Sequence, residues 1–472
     1  MRAASKFKHS RRFKTAAVKF YRTLGSSARY LHLILGICDK ILALFSFINF
    51  RIFLKSLSES KFFKYFLHKN RALINKRLQY AKFNSKGKSL FESMRAARSL
   101  SPLFLGIFFM FIGDALVIAS AGIMLKESGH SELEIGLISA FFFLGAIFSG
   151  FFVPSIIGAL SYVRAYAVFT ALFGIAAMLH DLGSNLVYWA ILRFILGFCY
   201  YALLMIIESW INSKITNSIR SRVLAIYEAV FYGAFAIGVI ILALNFGTMK
   251  VFVLSAFFII LALLPVNLIR FNPPRVPARM RISMPQISIV PPLAFATVVC
   301  AGILINGFFS MASVFVLSAG LGVGSVGAFM GSAMAGGFLA QLVCGTISDK
   351  FGRKRAIMIV CAVGLASCAA LFFAKSFILT CALALLLGFG AFPLYSLAIA
   401  RANDSITGEG ASRVQISAAM LFIYSSASLC SPLIIGAMMK FLGANGFIWV
   451  FFAAMSFLFI FAIFRPEIAP KR

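Results

Sequence analysis

Asp114 stands in the run MFIGDALVI, a lone carboxylate among apolar residues. A carboxylate in such a run can hold a proton, a cation or a cationic solute, and left unpaired in hydrocarbon it would be very unfavourable. Its other reading is a packing aspartate, neutral and hydrogen-bonded to a neighbouring helix. Arg193, in AILRFILGF, poses the same problem with the opposite sign. An arginine in such a run is costly and seldom faces lipid, so it is a functional candidate or a structural pair near the membrane interface. Asn306 in ILINGFF, Glu228 in AIYEAVF and Gln341 in LAQLVC add polar groups to runs that are otherwise apolar. With Asp114 and Arg193 they are the candidates for binding a substrate or a coupling ion. Tyr200, Tyr201, Tyr227 and Tyr232 offer stacking surfaces, but at helical spacing they read as packing.

Charge is concentrated elsewhere, in GTISDKFGRKRA from Gly345 to Ala356. Gly352 permits a tight turn. Asp349 lies near a helix end, where it can pair with Arg353 or Arg355 or cap a neighbouring helix. Such a cluster could latch one conformation and release in another. A second cluster begins at Glu208 and runs through ESWINSKITNSIRSRV. Glu208 is expected to pair with Arg220, Arg222 or Arg401 as a gate at a helix end, with Arg413 in the place corresponding to Arg222. No HExxH motif and no paired catalytic carboxylates are present, so an enzyme acting on lipid is disfavoured. No CxxC pair occurs among the 8 cysteines and the 5 histidines are scattered, so neither a disulfide framework, a metal site nor a cofactor is expected. The cysteines read as buried structural thiols.

The elements that must position these residues are set by composition. The chain is 61% hydrophobic and 12% charged over 472 residues, with a mean hydropathy of +0.94. A soluble protein of this size could not cover so much apolar surface. Apolar stretches of about 20 residues span a bilayer as helices. Twelve follow residue 101. The first six lie near 102–125, 134–158, 162–180, 186–208, 223–245 and 249–269. The second six lie near 290–317, 325–347, 356–374, 377–400, 413–439 and 444–464. These form two six-helix halves, 101–269 and 290–465, joined by a Pro- and Arg-rich linker at 270–289 and followed by a tail at 466–472.

The net charge of +31 needs dividing. Residues 1–100 hold 23 of the 45 basic and 3 of the 14 acidic residues, which accounts for +20. The excess is therefore a property of an N-terminal extension and gives no reason to expect nucleic acid as a partner. That extension reads as an interfacial segment on anionic lipid, with a composition that also mimics a transit peptide. Met94, opening MRAARSLSPLFLG, is a candidate functional start. With the termini and the linker in the cytoplasm, the inside loops and tail after residue 100 carry 17 basic residues and the outside loops four. That asymmetry satisfies the positive-inside rule.

The halves repeat at one offset. Gly197-Phe198 matches Gly388-Phe389, Asn212 matches Asn403, and Ser221-Arg222-Val223 matches Ser412-Arg413-Val414. Gly136 with Gly327 and Gly145 with Gly336 keep the same separation of 191 positions. Duplicated halves of this kind place a substrate between them near the bilayer midplane.

Gly345, Asp349, Gly352, Arg353, Lys354 and Arg355 match the G-x-x-x-D-x-x-G-R-K-R loop signature of the major facilitator superfamily, which the chain from 101 to 472 resembles. Arg193 and Gly197 resemble that family's R-x-x-x-G element, with Leu196 where a glutamine is usual. ESWIN followed by RSRVL resembles its YcaD-like branch. The resemblance implies an all-α membrane protein with twelve transmembrane helices and a monomeric permease in a bacterial inner membrane. It further implies a small-molecule substrate moved by alternating access, with a proton or other ion as coupling partner. The first-half copy of the loop departs from the signature, with Pro154 and Gly158 in place of Gly345 and Asp349 and only Arg164 retaining charge. That departure keeps open a sensor or scaffold that binds without translocating. Proline is absent from GAFAIGVII, where antiporters carry a Pro-Gly signature, which favours symport or uniport over a drug/proton efflux pump.

Overall fold

The computed structural model describes residues 100–183, 185–215, 220–245, 250–268, 287–374, 376–404 and 413–467. The basic extension, Met94 and most of the linker lie outside the described residues. Within them every regular element is a helix. The first half comprises α1 (Ser101–Glu127), α2 (Glu132–Leu160), α3 (Tyr162–Leu179), α4 (Leu186–Lys214), α5 (Arg220–Asn245), α6 (Val251–Leu261) and α7 (Leu263–Leu268). The second comprises α8 (Pro292–Ser318), α9 (Gly324–Phe351), α10 (Arg353–Leu371), α11 (Phe377–Ala391), α12 (Leu394–Asp404), α13 (Arg413–Leu442) and α14 (Asn445–Ile463).

Eleven of the expected spans appear as helical stretches long and apolar enough to cross a membrane, and the sixth, Val251–Asn267, is shorter and broken at Ala262. Pro265 accounts for the break, because its ring clashes with the carbonyl of residue 261 and it donates no backbone hydrogen bond. The tenth span is interrupted in the same way, with Pro393 separating α11 from α12.

The innermost helices are α1 and α8. Their most apolar windows are 83% and 72% buried, against 39–56% for the other spans. Those other spans carry side chains such as Leu137, Phe152, Ile240 and Phe457 on their outer faces, as lipid contact requires. The halves meet where α2 packs on α13, α5 on α9 and α1 on α8.

The repeat is a packing repeat. A Cβ added at Gly145 would strike the carbonyl oxygen of Phe194, and one at Gly336 that of Leu385. Likewise Gly197 lies against the carbonyl of Phe142, and Gly388 against that of Ala333. The obstructing residues are themselves 191 apart in each case. The glycines are where α2 crosses α4, and α9 crosses α11, at backbone contact distance.

The turn after α9 uses Gly352 at φ 94°, ψ 158°. Its first-half counterpart is Ser161, with φ 69°, ψ 162°, the one non-glycine at positive φ among the described residues. The first-half loop has therefore lost the charges of the signature but kept its bend. A side chain in that region is strained by about 1–3 kcal/mol. Ser161→Gly should raise stability by ~1 kcal/mol in thermal unfolding of the purified protein. An unchanged or lower midpoint would show the bend to be relaxed.

Candidate functional site

A cavity of about 1180 Å³ lies between the halves. Its wall runs from Asp114 and Arg193 to Asn212, Asn403 and Asp404 at the bundle end that carries the GTISDKFGRKRA loop. The cavity thus reaches the loop end.

The opposite end is held closed by Glu132, the first residue of α2. Its Oε1 accepts hydrogen bonds from Lys126 Nζ at 2.5 Å and from Ser318 Oγ at 3.1 Å. Lys126 belongs to α1 and Ser318 to α8, so one carboxylate ties the first half to the second. The backbone presents it there through a capping box. Ser131 Oγ accepts from the Glu134 amide, while Glu134 Oε2 accepts from the Ser131 amide at 2.8 Å. Glu132 was not among the residues singled out by sequence, although the SELE run carries the capping-box signal.

Asp114 is placed by the residue before it. Gly113 lets α1 approach α6, and its carbonyl accepts a hydrogen bond of 2.7 Å from Ser255 Oγ. With that face of α1 held against α6, the next residue lies on the cavity wall. Asp114 is only 1% exposed, and neither carboxylate oxygen has a hydrogen-bond partner. Arg193 of α4 is also buried on this wall, and its Nε has no partner. The two interact electrostatically, but they are not among the ion pairs found within 4 Å.

Asn306 of α8 faces the cavity from the other half. Its Nδ2 donates to Ser428 Oγ at 2.6 Å, and Tyr424 of α13 lines the same cavity. Asn306 is thus held by α13, whereas Asp114 is not held by anything polar. Glu228 and Glu208 line the cavity nearer the loop end and sense each other's charge. Gln341 is not among the residues that line the cavity. The tyrosines expected as packing prove to be wall residues: Tyr200, Tyr201, Tyr227 and Tyr232 all line the cavity.

Of the arginines expected to form a gate with Glu208, Arg401 is the one whose side chain is described. Arg401 pairs with Glu467 at 3.6 Å and donates to the Pro466 carbonyl at 2.5 Å. The short helix α12 packs on α8 and α10 of its own half, so Arg401 meets the carboxylate of the tail before any from the first half. Glu208 lines the cavity. The side chains of Arg220, Arg222 and Arg413 lie outside the described residues.

The charged loop forms a network within the second half. Arg353 pairs with Asp349 at 2.7 Å and with Asp404 of α12 at 2.9 Å, and it also donates to Ser348 Oγ. Lys354 Nζ donates to the carbonyls of Ile463 and Arg465 at 3.0 and 2.6 Å. Gly352 sits against Glu467, so that the turn, α12 and the tail after α14 are fastened together. Arg355 is exposed, and Gly345 faces open space. Among the described residues no group of His, Cys, Asp and Glu is placed to hold a metal ion. The cysteines there are free. Five are buried as expected, whereas Cys430 is exposed.

Two repeated six-span halves around a cavity open to one end are the architecture of a membrane solute transporter. The chain belongs to the Major Facilitator Superfamily, whose family profile it matches over residues 103–429 and 294–472. It is 23% identical over 378 residues to an uncharacterised MFS-type transporter of Yersinia pestis, covering 78% of this chain and 96% of that protein. The uncharacterised MFS-type transporter YcaD of Salmonella typhi is 24% identical over 375 residues, with the same shares of each chain covered. The chain thus falls in the YcaD-like branch. A point mutant of the nucleoside transporter NupG shares the fold with a TM-score of 0.64 at 12% identity, covering 77% of this chain and 98% of that one. A bacterial homologue of ferroportin, solved in an inward-facing state, superposes with a TM-score of 0.59 at 12% identity, covering 78% and 98%.

Proposed function

We propose that this protein moves a small solute across a bacterial inner membrane by alternating access, coupled to protons, with its termini and the α9–α10 loop in the cytoplasm. The observation that carries this reading is the asymmetry of the cavity. It runs between the halves from Asp114 to the loop end, while Glu132 closes the other end by joining α1 and α2 to α8. In this frame the cavity faces the cytoplasm. Asp114 and Arg193 bind the substrate or the coupling proton at the closed end. Glu228 and Asn306 add polar contacts from α5 and α8. The network of Asp349, Gly352, Arg353 and Lys354 keeps the second half rigid as it rocks.

A sensor that binds its solute without carrying it is the second reading, favoured by the loss of loop charge in the first half. Vesicles containing the purified full-length chain separate the two. A metabolite and drug library is offered under an imposed proton gradient, with a protonophore as control. Protein-dependent accumulation that the protonophore collapses is expected. Binding to the folded protein with no accumulation would support the sensor and contradict transport.

A further inference from the structure

We propose that the solute is an organic cation carrying an aromatic ring. The inference rests on the transport reading and names the cargo of the same cavity.

Three observations carry it. The first is charge. The described lining holds four carboxylates, those of Asp114, Glu208, Glu228 and Asp404, and two guanidinium groups, those of Arg193 and Arg353. The wall is net acidic in a chain whose net charge is +31. Asp404 is already neutralised, since Arg353 pairs with it at 2.9 Å. The surplus is therefore in Asp114, Glu208 and Glu228, with Arg193 alone opposing it and not in ion-pair contact.

The second is an unpartnered group. Asp114 is buried on the cavity wall with both oxygens free of hydrogen bonds. A buried carboxylate left without partners is costly, and it persists where a ligand completes it. Asn306, across the cavity, already donates to Ser428 Oγ at 2.6 Å. Of the unpartnered side-chain acceptors that line the cavity, Asn403 Oδ1 at the loop end and the two oxygens of Asp114, only those of Asp114 belong to a carboxyl group.

The third is the company these carboxylates keep. Tyr200 and Tyr201 lie within electrostatic reach of Asp114, and Tyr227 within reach of both Glu208 and Glu228. Their rings form a continuous wall. Tyr200 lies 5.5 Å from Tyr201 and 6.5 Å from Phe111, which in turn lies 6.2 Å from Tyr227. Across the cavity, Tyr395 and Tyr424 are 4.6 Å apart. A hard metal cation asks for a tight shell of oxygen ligands, which these separated carboxylates do not make. An organic cation asks for ring faces and an anionic counter-charge together, and the wall supplies both. The volume exceeds that of most drug-sized sites, which run to about 1,000 Å³. A solute with an aromatic ring therefore fits without any change in the wall.

The test is equilibrium binding to the purified full-length chain of three probes similar in shape. They are N-methyl-phenylpyridinium (a fixed cation), phenylpyridine (neutral) and biphenylcarboxylate (an anion). The cation should bind at least about tenfold more tightly than the neutral probe, the scale of one charge contact. That preference should fall away in Asp114→Asn and weaken in Glu228→Gln, each confirmed as folded by thermal unfolding. Equal or tighter binding of the neutral or anionic probe would overturn the inference. So would no binding of any probe at millimolar concentration, or a cation preference that survives both substitutions. Failure here is separable from failure of the transport reading. Accumulation of a neutral or anionic solute in vesicles would leave transport standing and remove the cation. Tight binding of the cation without flux would do the reverse.

Discussion

Gly197→Ala is expected to remove folded protein from the membrane, and Gly388→Ala to do the same. At both positions the first atom of any side chain lands on a backbone carbonyl, that of Phe142 or of Ala333. A carbonyl in the middle of a helix cannot rotate aside as a side chain can, so α4 would have to separate from α2, or α11 from α9. Overpacking a well-packed interior costs typically 1–3 kcal/mol, and a contact with backbone belongs at the top of that range, about 3 kcal/mol. A loss of that size is a large share of the stability of a typical protein. The control is internal. Gly150 and Gly233 lie in helices with nothing near the position of an added Cβ. Alanine there should be tolerated, with a gain of up to about 1 kcal/mol from helix propensity. Detergent-extracted, monodisperse protein measured for all four variants checks this. Equal yields from the two sets would mean that the crossings are looser than the structure shows.

Asp114→Asn should lower proton-driven flux by at least about 100-fold, the scale of losing a charge-assisted contact of about 3 kcal/mol. The same variant should unfold at an unchanged or higher temperature. The two halves of this prediction belong together. Asn keeps the shape and removes the charge. Because the native carboxylate accepts no hydrogen bond, no bond is lost, and the cost of burying a carboxyl group without a hydrogen-bond partner is lifted. A residue kept for function at a cost in stability behaves in this way. A structural aspartate would give the opposite pattern, with a lower unfolding temperature and flux reduced only in proportion to the folded fraction.

The sequence made the spans, the duplication and the charged loop visible for physical reasons. Length and apolarity define a span, and identical crossings need identical glycines. Thus the 191-residue offset picked out the glycine pairs Gly145 with Gly336 and Gly197 with Gly388 before any packing was known. The faces of the helices were a different matter. A helix apolar on all sides carries no amphipathic signal to say which way it turns. Tyr200, Tyr201, Tyr227 and Tyr232 therefore read as packing, although all four line the cavity. Long-range ion pairs were illegible for a related reason. Nothing in the spacing of Arg401 and Glu467 indicates that the tail returns to α12, and nothing about Glu132 says that α8 ends beside it. The breaks at Ala262 and before α12 were open to a stricter reading, since Pro265 and Pro393 stand where a continuous helix would lose a hydrogen bond. Ser161 was likewise hidden in plain view, 191 positions before Gly352.

Two inter-half distances, measured together, test the central claim of alternating access. One pair of spin labels is placed at the loop end, through Asn212→Cys and Asn403→Cys. The other is placed at the closed end, through Ser128→Cys and Ala319→Cys, with the native Cys38 and Cys430 replaced. Pulsed electron-resonance distances should show two populations in which the ends move in opposition. In the state described here the cavity reaches Asn212 and Asn403 while the Glu132–Ser318 contact closes the other end, and its share should change with pH or with bound solute. A single distance at each end, unmoved by either, would contradict the account and leave a binding protein in a transporter's fold.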